Sequence, residues 1–129
     1  MAADHFGFTK LIVGDLEKSA EFYKSVCELT EQARVDAAIE GRRISEIMFN
    51  PTGQGAATFV LLAYPDEPRP KGGEAILGFI TEDVHAFVAR AKAAGGTIAQ
   101  DVASQPEHGV KVGFVRDIEG HLIEVVELL

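Results

Sequence analysis

Few side chains in this sequence could do chemistry, and the most pointed is Glu124. It stands third in Leu122-Ile-Glu-Val-Val-Glu-Leu128, an apolar run with β-branched residues that reads as a strand. A carboxylate in such a run lies on a wet face, where a neighbour or water satisfies it, or it serves as a general base or as a polar anchor for a ligand. Lys10, inside the apolar run 8–13, is a candidate partner for Glu124 and a candidate stabiliser of an enolate oxygen. His108, in the loop sequence Gln-Pro-Glu-His-Gly (105–109), is a candidate gate or proton donor, with plain surface exposure as the alternative. Arg43, Glu46 and Tyr64 could reach a site from the first half of the chain; the bland alternative for Arg43 and Glu46 is that both are solvated.

Other reactive types are less telling. Tyr23, Phe22 and Cys27 recur at helical spacing and belong to an apolar stripe, so the thiol reads as an inert core group. Local motifs signal no Ser-His-Asp or Cys-His arrangement. Gly72-Gly73 and Gly95-Gly96 are turn glycines and make no G-x-G-x-x-G fingerprint.

The elements that must position these residues can be read in order. Residues 8–13 form a strand, Asp15 caps a helix over Leu16–Cys27, and strands follow at about 30–35, 43–49 and 57–63. Residues 64–74 hold three prolines and two glycines, which excludes helix or central strand and predicts a linker. The plan then repeats: a strand at 75–81, a cap at Asp83, a helical stripe through Val84, Phe87, Val88 and Ala91, and strands starting at Thr97, at Val110 and at Leu122. A shift of 68 residues lays 8–16 on 76–84, so strand, cap and helix coincide. The expected organisation is a single domain over 1–129, made of two β-α-β-β-β modules at about 5–63 and 75–129. The turn 117–120 joins the last two strands, with Asp117 able to bond nearby backbone and Gly120 able to take positive φ.

Bulk properties exclude several classes. The net charge of −8, with no basic cluster, argues against nucleic acid as a partner. No apolar run approaches the ~18 residues a membrane-spanning helix needs, and the first six residues, lacking a basic stretch and an apolar one, read as no secretory signal. One cysteine cannot form an intrachain disulfide, which agrees with a cytoplasmic protein.

Val-Gly-Asp-Leu-Glu-Lys-Ser-Ala-Glu-Phe-Tyr (13–23) and Phe-Val-Arg-Asp-Ile-Glu-Gly-His-Leu-Ile-Glu-Val-Val-Glu (114–127) together resemble motifs of the vicinal oxygen chelate superfamily, which includes glyoxalase I, extradiol dioxygenases, and fosfomycin and bleomycin resistance proteins. Ile118 departs from the family's usual proline. The resemblance spans nearly the whole chain and implies an α+β fold of two βαβββ modules forming a cupped, open barrel, commonly in a homodimer. It also implies four metal-ligand positions, which fall here on Phe8, Leu61, Ile76 and Glu124. Three of these offer no lone pair, and one carboxylate does not hold a divalent ion tightly. His5 and His121 lie three residues from Phe8 and Glu124, so strand alternation turns them to the other face.

The expectation is therefore a protein without metal or other cofactor that binds a small organic molecule in an apolar cup, as bleomycin-resistance-type members do. Phe8, Leu61, Ile76, Tyr64 and Arg43 would contact the ligand. The alternatives are a metal-independent lyase or isomerase that uses Glu124 as base with help from Lys10 or His108, and a metal-dependent lactoylglutathione lyase or dioxygenase.

Overall fold

The computed structural model describes residues 5–129, so most of the N-terminal stretch read for a secretory signal lies outside the described residues. The chain folds as two units: residues up to 24 with 28–70, and residues 25–27 with 71–129. Each is a four-stranded sheet with a helix on one face. No helix among the described residues is long and apolar enough to cross a membrane.

In the first unit, β1 (Phe8–Ile12) leads into α1 (Leu16–Cys27) and then β2 (Glu31–Ile39), β3 (Arg42–Phe49) and β4 (Thr58–Ala63), in the sheet order β1-β4-β3-β2. β1 and β4 are parallel, which the α1 crossover permits; the other neighbours are antiparallel. Asp15 caps α1 by accepting a hydrogen bond from the Lys18 N–H at 3.0 Å. One sheet face buries the helix. Tyr23 meets Phe59 edge-on at 5.1 Å, and Phe49 stacks on Phe59 at 6.0 Å. Tyr23, Ile47, Phe49 and Leu61 are fully buried there. β2 runs four residues beyond the expected 35, to Ile39. The tight turn that ends it places Glu40 and Gly41 at φ 52° and 77°, a geometry for which the glycine is the favourable residue.

The second unit repeats this plan with β5 (Ile76–Ile80), α2 (Val84–Ala93), β6 (Thr97–Gln105), β7 (Val110–Arg116) and β8 (Leu122–Leu128), in the order β5-β8-β7-β6. Asp83, 68 residues after Asp15, caps α2 through the Ala86 N–H at 3.1 Å. Phe79 meets Phe87 of α2 at 6.0 Å, which fixes the helix-covered face of this sheet. Asp117 closes the β7–β8 turn by accepting from the N–H groups of Glu119 and His121, both at 2.9 Å, and Gly120 takes φ 93°.

Candidate functional site

Strand alternation assigns every candidate to a face. In the second unit, Phe79 marks the helix face, so Ile76, Gly78 and Ile80 point to the other, helix-free face. Parallel register pairs Ile76 with Leu122, Gly78 with Glu124 and Ile80 with Val126. Phe114 of β7 lies opposite Glu124 on its other side. Glu124 therefore sits mid-sheet, half-buried, among apolar neighbours on the face without a helix. No hydrogen bond or ion pair joins its carboxylate to another described residue. A Cβ built on Gly78 would meet nothing within 4 Å, so the position beside Glu124 is open.

The two carboxylates of β8 do different work for this reason. Glu127 is three residues on, hence on the opposite face. Its Oε1 accepts the Val84 N–H at 2.9 Å and so caps α2, where the helix dipole favours a negative charge. Glu124 has no such structural duty. The nearest cation by register is Arg116, opposite Leu122, and its Nη1 donates to the Gly120 carbonyl at 3.0 Å.

In the first unit, Phe8, Lys10 and Ile12 share the helix-free face with Val60, Leu62, Ile44, Glu46 and Met48. The candidate Leu61 needs correction. It pairs with Leu11 and Ile47 on the helix-covered face and is fully buried. The residue matching Glu124 in the repeat is Val60, because Val60 pairs with Lys10 as Glu124 pairs with Gly78, and 10 and 78 differ by 68. The substitution leaves the donor set unchanged: Phe8, Val60, Ile76 and Glu124 supply one ligating side chain. Among the described residues, no group of three or more His, Cys, Asp or Glu side chains is placed to hold a metal ion. The family's divalent ion does not fit this donor set.

Lys10 is engaged, though not by Glu124. Its Nζ lies 2.6 Å from Glu46 Oε2 and 5.6 Å from the centre of the Phe8 ring. Glu46 is buried, at 7% exposure, which overturns its reading as a solvated residue. The Lys10 contact is an ion pair by distance, but the same buried oxygen makes no hydrogen bond of acceptable angle. At this separation the two charges attract at an angle that a hydrogen bond would not tolerate, so the pair holds by charge.

Arg43 also needs correction. Its position in β3 shares the face of Ser45 and Ile47, and its guanidinium is paired with Asp66, Nη2 to Oδ1 at 2.6 Å. The neighbouring Arg42 instead stands with Tyr64: its guanidinium lies 3.8 Å from the ring centre and is paired with Glu67. Tyr64 and Arg42 help line an open pocket of about 280 Å³ with Ile12, Val13, Arg69 and Pro70. Sequence spacing had no means of choosing between adjacent arginines at a strand end. His108 lies in a 3₁₀ turn, Pro106–His108, just before Val110, the partner of Leu128. Leu128 is four strand positions from Glu124, roughly 13 Å, so the second unit does not bring His108 to Glu124. Cys27 carries a thiol that burial pushes up to about 12, with Arg90 only partly offsetting this, so it is no nucleophile near neutral pH.

The chain is similar in sequence to a probable lactoylglutathione lyase from Vibrio cholerae, 26% identical over 92% of this chain and 87% of that protein. Its fold is similar to that of a glyoxalase family protein from Bacillus cereus, with a TM-score of 0.83, 19% identity, and coverage of 100% of this chain and 97% of that one. It is also similar to a glyoxalase I mutant from Zea mays, with a TM-score of 0.76 and 20% identity, matching 94% of this chain and 45% of that longer one. The sequence profile of the Glyoxalase/Bleomycin resistance protein/Dioxygenase superfamily matches residues 3–125. The chain belongs to that superfamily.

Proposed function

We propose that this protein is a metal-independent member of the superfamily that binds a small organic molecule against its helix-free sheet faces, with Glu124 as a polar anchor. The observation that carries this reading is made in each unit by itself: in the first, Phe8 and Val60 are both apolar, and in the second Ile76 is apolar and Glu124 is the one carboxylate. Phe8 and Ile76 are 58% and 60% exposed, so these positions present hydrocarbon where an ion-binding relative would present ligands. The exposed Ile80 and Leu128 also suit a homodimer that covers part of the second face, and the lone cysteine suits a cytoplasmic setting. The test pairs elemental analysis of purified protein with a thermal-shift screen of apolar natural products. Less than a tenth of an equivalent of transition metal, together with ligands that raise the melting temperature, is the expected result. A stoichiometric metal ion lost on Glu124→Gln refutes it.

A second reading is a metal-free lyase or isomerase in which Glu124 removes a proton from carbon next to a carbonyl. Two observations favour it: the Glu124 carboxylate has open space beside it at Gly78, and the Vibrio cholerae relative is a probable lactoylglutathione lyase. Turnover to or from lactoylglutathione by chelator-treated protein, abolished in Glu124→Gln, supports this reading. The absence of turnover in both proteins leaves the binder.

A further inference from the structure

We propose that Lys10 and Glu46 form a second polar anchor, in the first unit, for an acceptor oxygen on an aromatic ligand. Lys10 would donate to that oxygen, and Glu46 would act as the positioning residue that fixes the ammonium. The inference rests on the reading of the chain as a binder of organic molecules. Lys10 sits on β1 and Glu46 on β3, with β4 between them, and register places them beside Val60 and Leu62. The lysine must therefore reach diagonally across β4 to bring Nζ within 2.6 Å of Glu46 Oε2. Val60 and Leu62 beneath are 0% and 2% exposed, and the aliphatic stem of a lysine is suited to cover such side chains. A buried carboxylate with apolar neighbours is costly unless it holds a cation, so Glu46 has a physical reason to keep Lys10 in this pose.

The lysine side chain stays partly accessible. Lys10 is 34% exposed, whereas the Glu46 oxygen is buried, so a ligand reaches the donor and not the acceptor. An ammonium carries three N–H groups, and Glu46 is the one described residue with which Lys10 forms an ion pair. Beside it lies Phe8, 58% exposed, with its ring centre 5.6 Å from Nζ. A donor cation next to an open aromatic face selects a flat ring bearing a carbonyl, phenolate or other acceptor oxygen. At the matching position of the second unit the chain has Gly78, so only the first unit carries this device.

The test uses two dyes of one shape. 8-Anilinonaphthalene-1-sulfonate carries acceptor oxygens, and N-phenyl-1-naphthylamine has the same rings without them. Both are titrated by fluorescence into the wild type, Glu46→Gln, and the double variant Glu46→Gln/Lys10→Met, with folding checked by circular dichroism. Without the carboxylate the ammonium loses the contact that holds its pose, and ordering it again costs the ligand affinity. The ratio of sulfonate-dye to neutral-dye affinity is therefore expected to fall about three- to tenfold in Glu46→Gln, and to fall further in the double variant, which removes the donor as well; a ratio that rises in Glu46→Gln overturns the positioning role. An unchanged ratio with the neutral dye still bound overturns this inference alone. An equal loss of both dyes in Glu46→Gln marks a merely structural role and also overturns it. Failure of the wild type to bind either dye overturns both this inference and the reading on which it rests.

Discussion

Gly78 offers the sharpest separation of stability from function. It lies inside β5, paired with Glu124, at an ordinary φ, and a Cβ there would meet nothing within 4 Å. Glycine inside a strand costs roughly 0.5–1 kcal/mol relative to alanine, and valine fits a pleated surface better still. Gly78→Val is therefore expected to stabilise the protein by about 1 kcal/mol. At roughly 2.1 cal/mol/K per residue, this chain has an unfolding entropy of about 0.27 kcal/mol/K, so the melting temperature should rise by about 4 °C. The same two methyl groups would occupy the space beside Glu124. Ligands identified by thermal shift that bind this face should therefore lose tenfold or more in affinity even though the fold is stronger. Gly113→Ala is the control: its Cβ would stand 3.0 Å from Val102 Cγ2 on the helix-covered face, and overpacking costs about 1–3 kcal/mol. Thermal unfolding monitored by circular dichroism reads both variants. A melting temperature for Gly78→Val below that of the wild type refutes the view that this position is open. A stabilised variant with undiminished ligand affinity refutes the view that the opening serves a ligand.

Three further outcomes are expected. Glu31 is held down to about 2 by hydrogen bonds from Arg34 first and Lys24 second, against an ordinary 4.5. Its folded pKa is depressed, so its contribution to stability is present above about 4.5 and is lost as pH falls toward 2. Urea midpoints measured between pH 5 and 2.5 should fall less steeply for Glu31→Gln than for the wild type, and parallel curves would sink this account. Cys27 should react with a thiol reagent at pH 8 at least a hundredfold more slowly in the native protein than in urea, and equal rates would contradict a buried thiol. Gly14→Ala would bring a Cβ to 2.7 Å from Arg69 Cγ, so Arg69 must leave its place in the wall of the 280 Å³ pocket; the melting temperature should drop by a few degrees, and an unchanged value would show that the side chain yields freely.

What was legible in the sequence followed from local rules. Asp15 and Asp83 declared their helices because a cap needs a short acceptor before an apolar stripe, and both side chains accept the expected N–H. Asp117 and Gly120 declared the β7–β8 turn for a similar reason. Site residues fared differently, because a one-residue slip in a strand reverses its face. From Phe59 to Ala63 β4 is apolar at every position, so its sequence contains no alternation from which to choose between Val60 and Leu61. That choice came from pairing with β1, a contact about fifty residues distant in sequence. Arg42 and Arg43 were indistinguishable for the same reason. Glu46 was harder to place: β3 does alternate, but a carboxylate facing hydrocarbon and one facing water look alike until the partner, Lys10, is seen across the sheet.

The two halves of the repeat have diverged in a physically coherent way. Positions 8 and 76 are both large hydrocarbons, and positions 10 and 78 are lysine and glycine. Positions 60 and 124 are valine and glutamate. Each sheet thus holds charge at one member of the β1–β4 or β5–β8 pair and leaves the other neutral. In the first unit the cation at Lys10 is balanced within the sheet by Glu46, a residue that β3 adds to the helix-free face. In the second, the anion at Glu124 has no cation among its register neighbours on β5, and the diagonal Arg116 is turned to a backbone carbonyl. A half-buried carboxylate without a built-in partner costs stability, and the Gly78 opening beside it costs more. Two adjacent costs on one face, with Glu127 on the same strand used as a helix cap, serve no evident need of the fold and are what the proposed role of Glu124 as a ligand anchor requires.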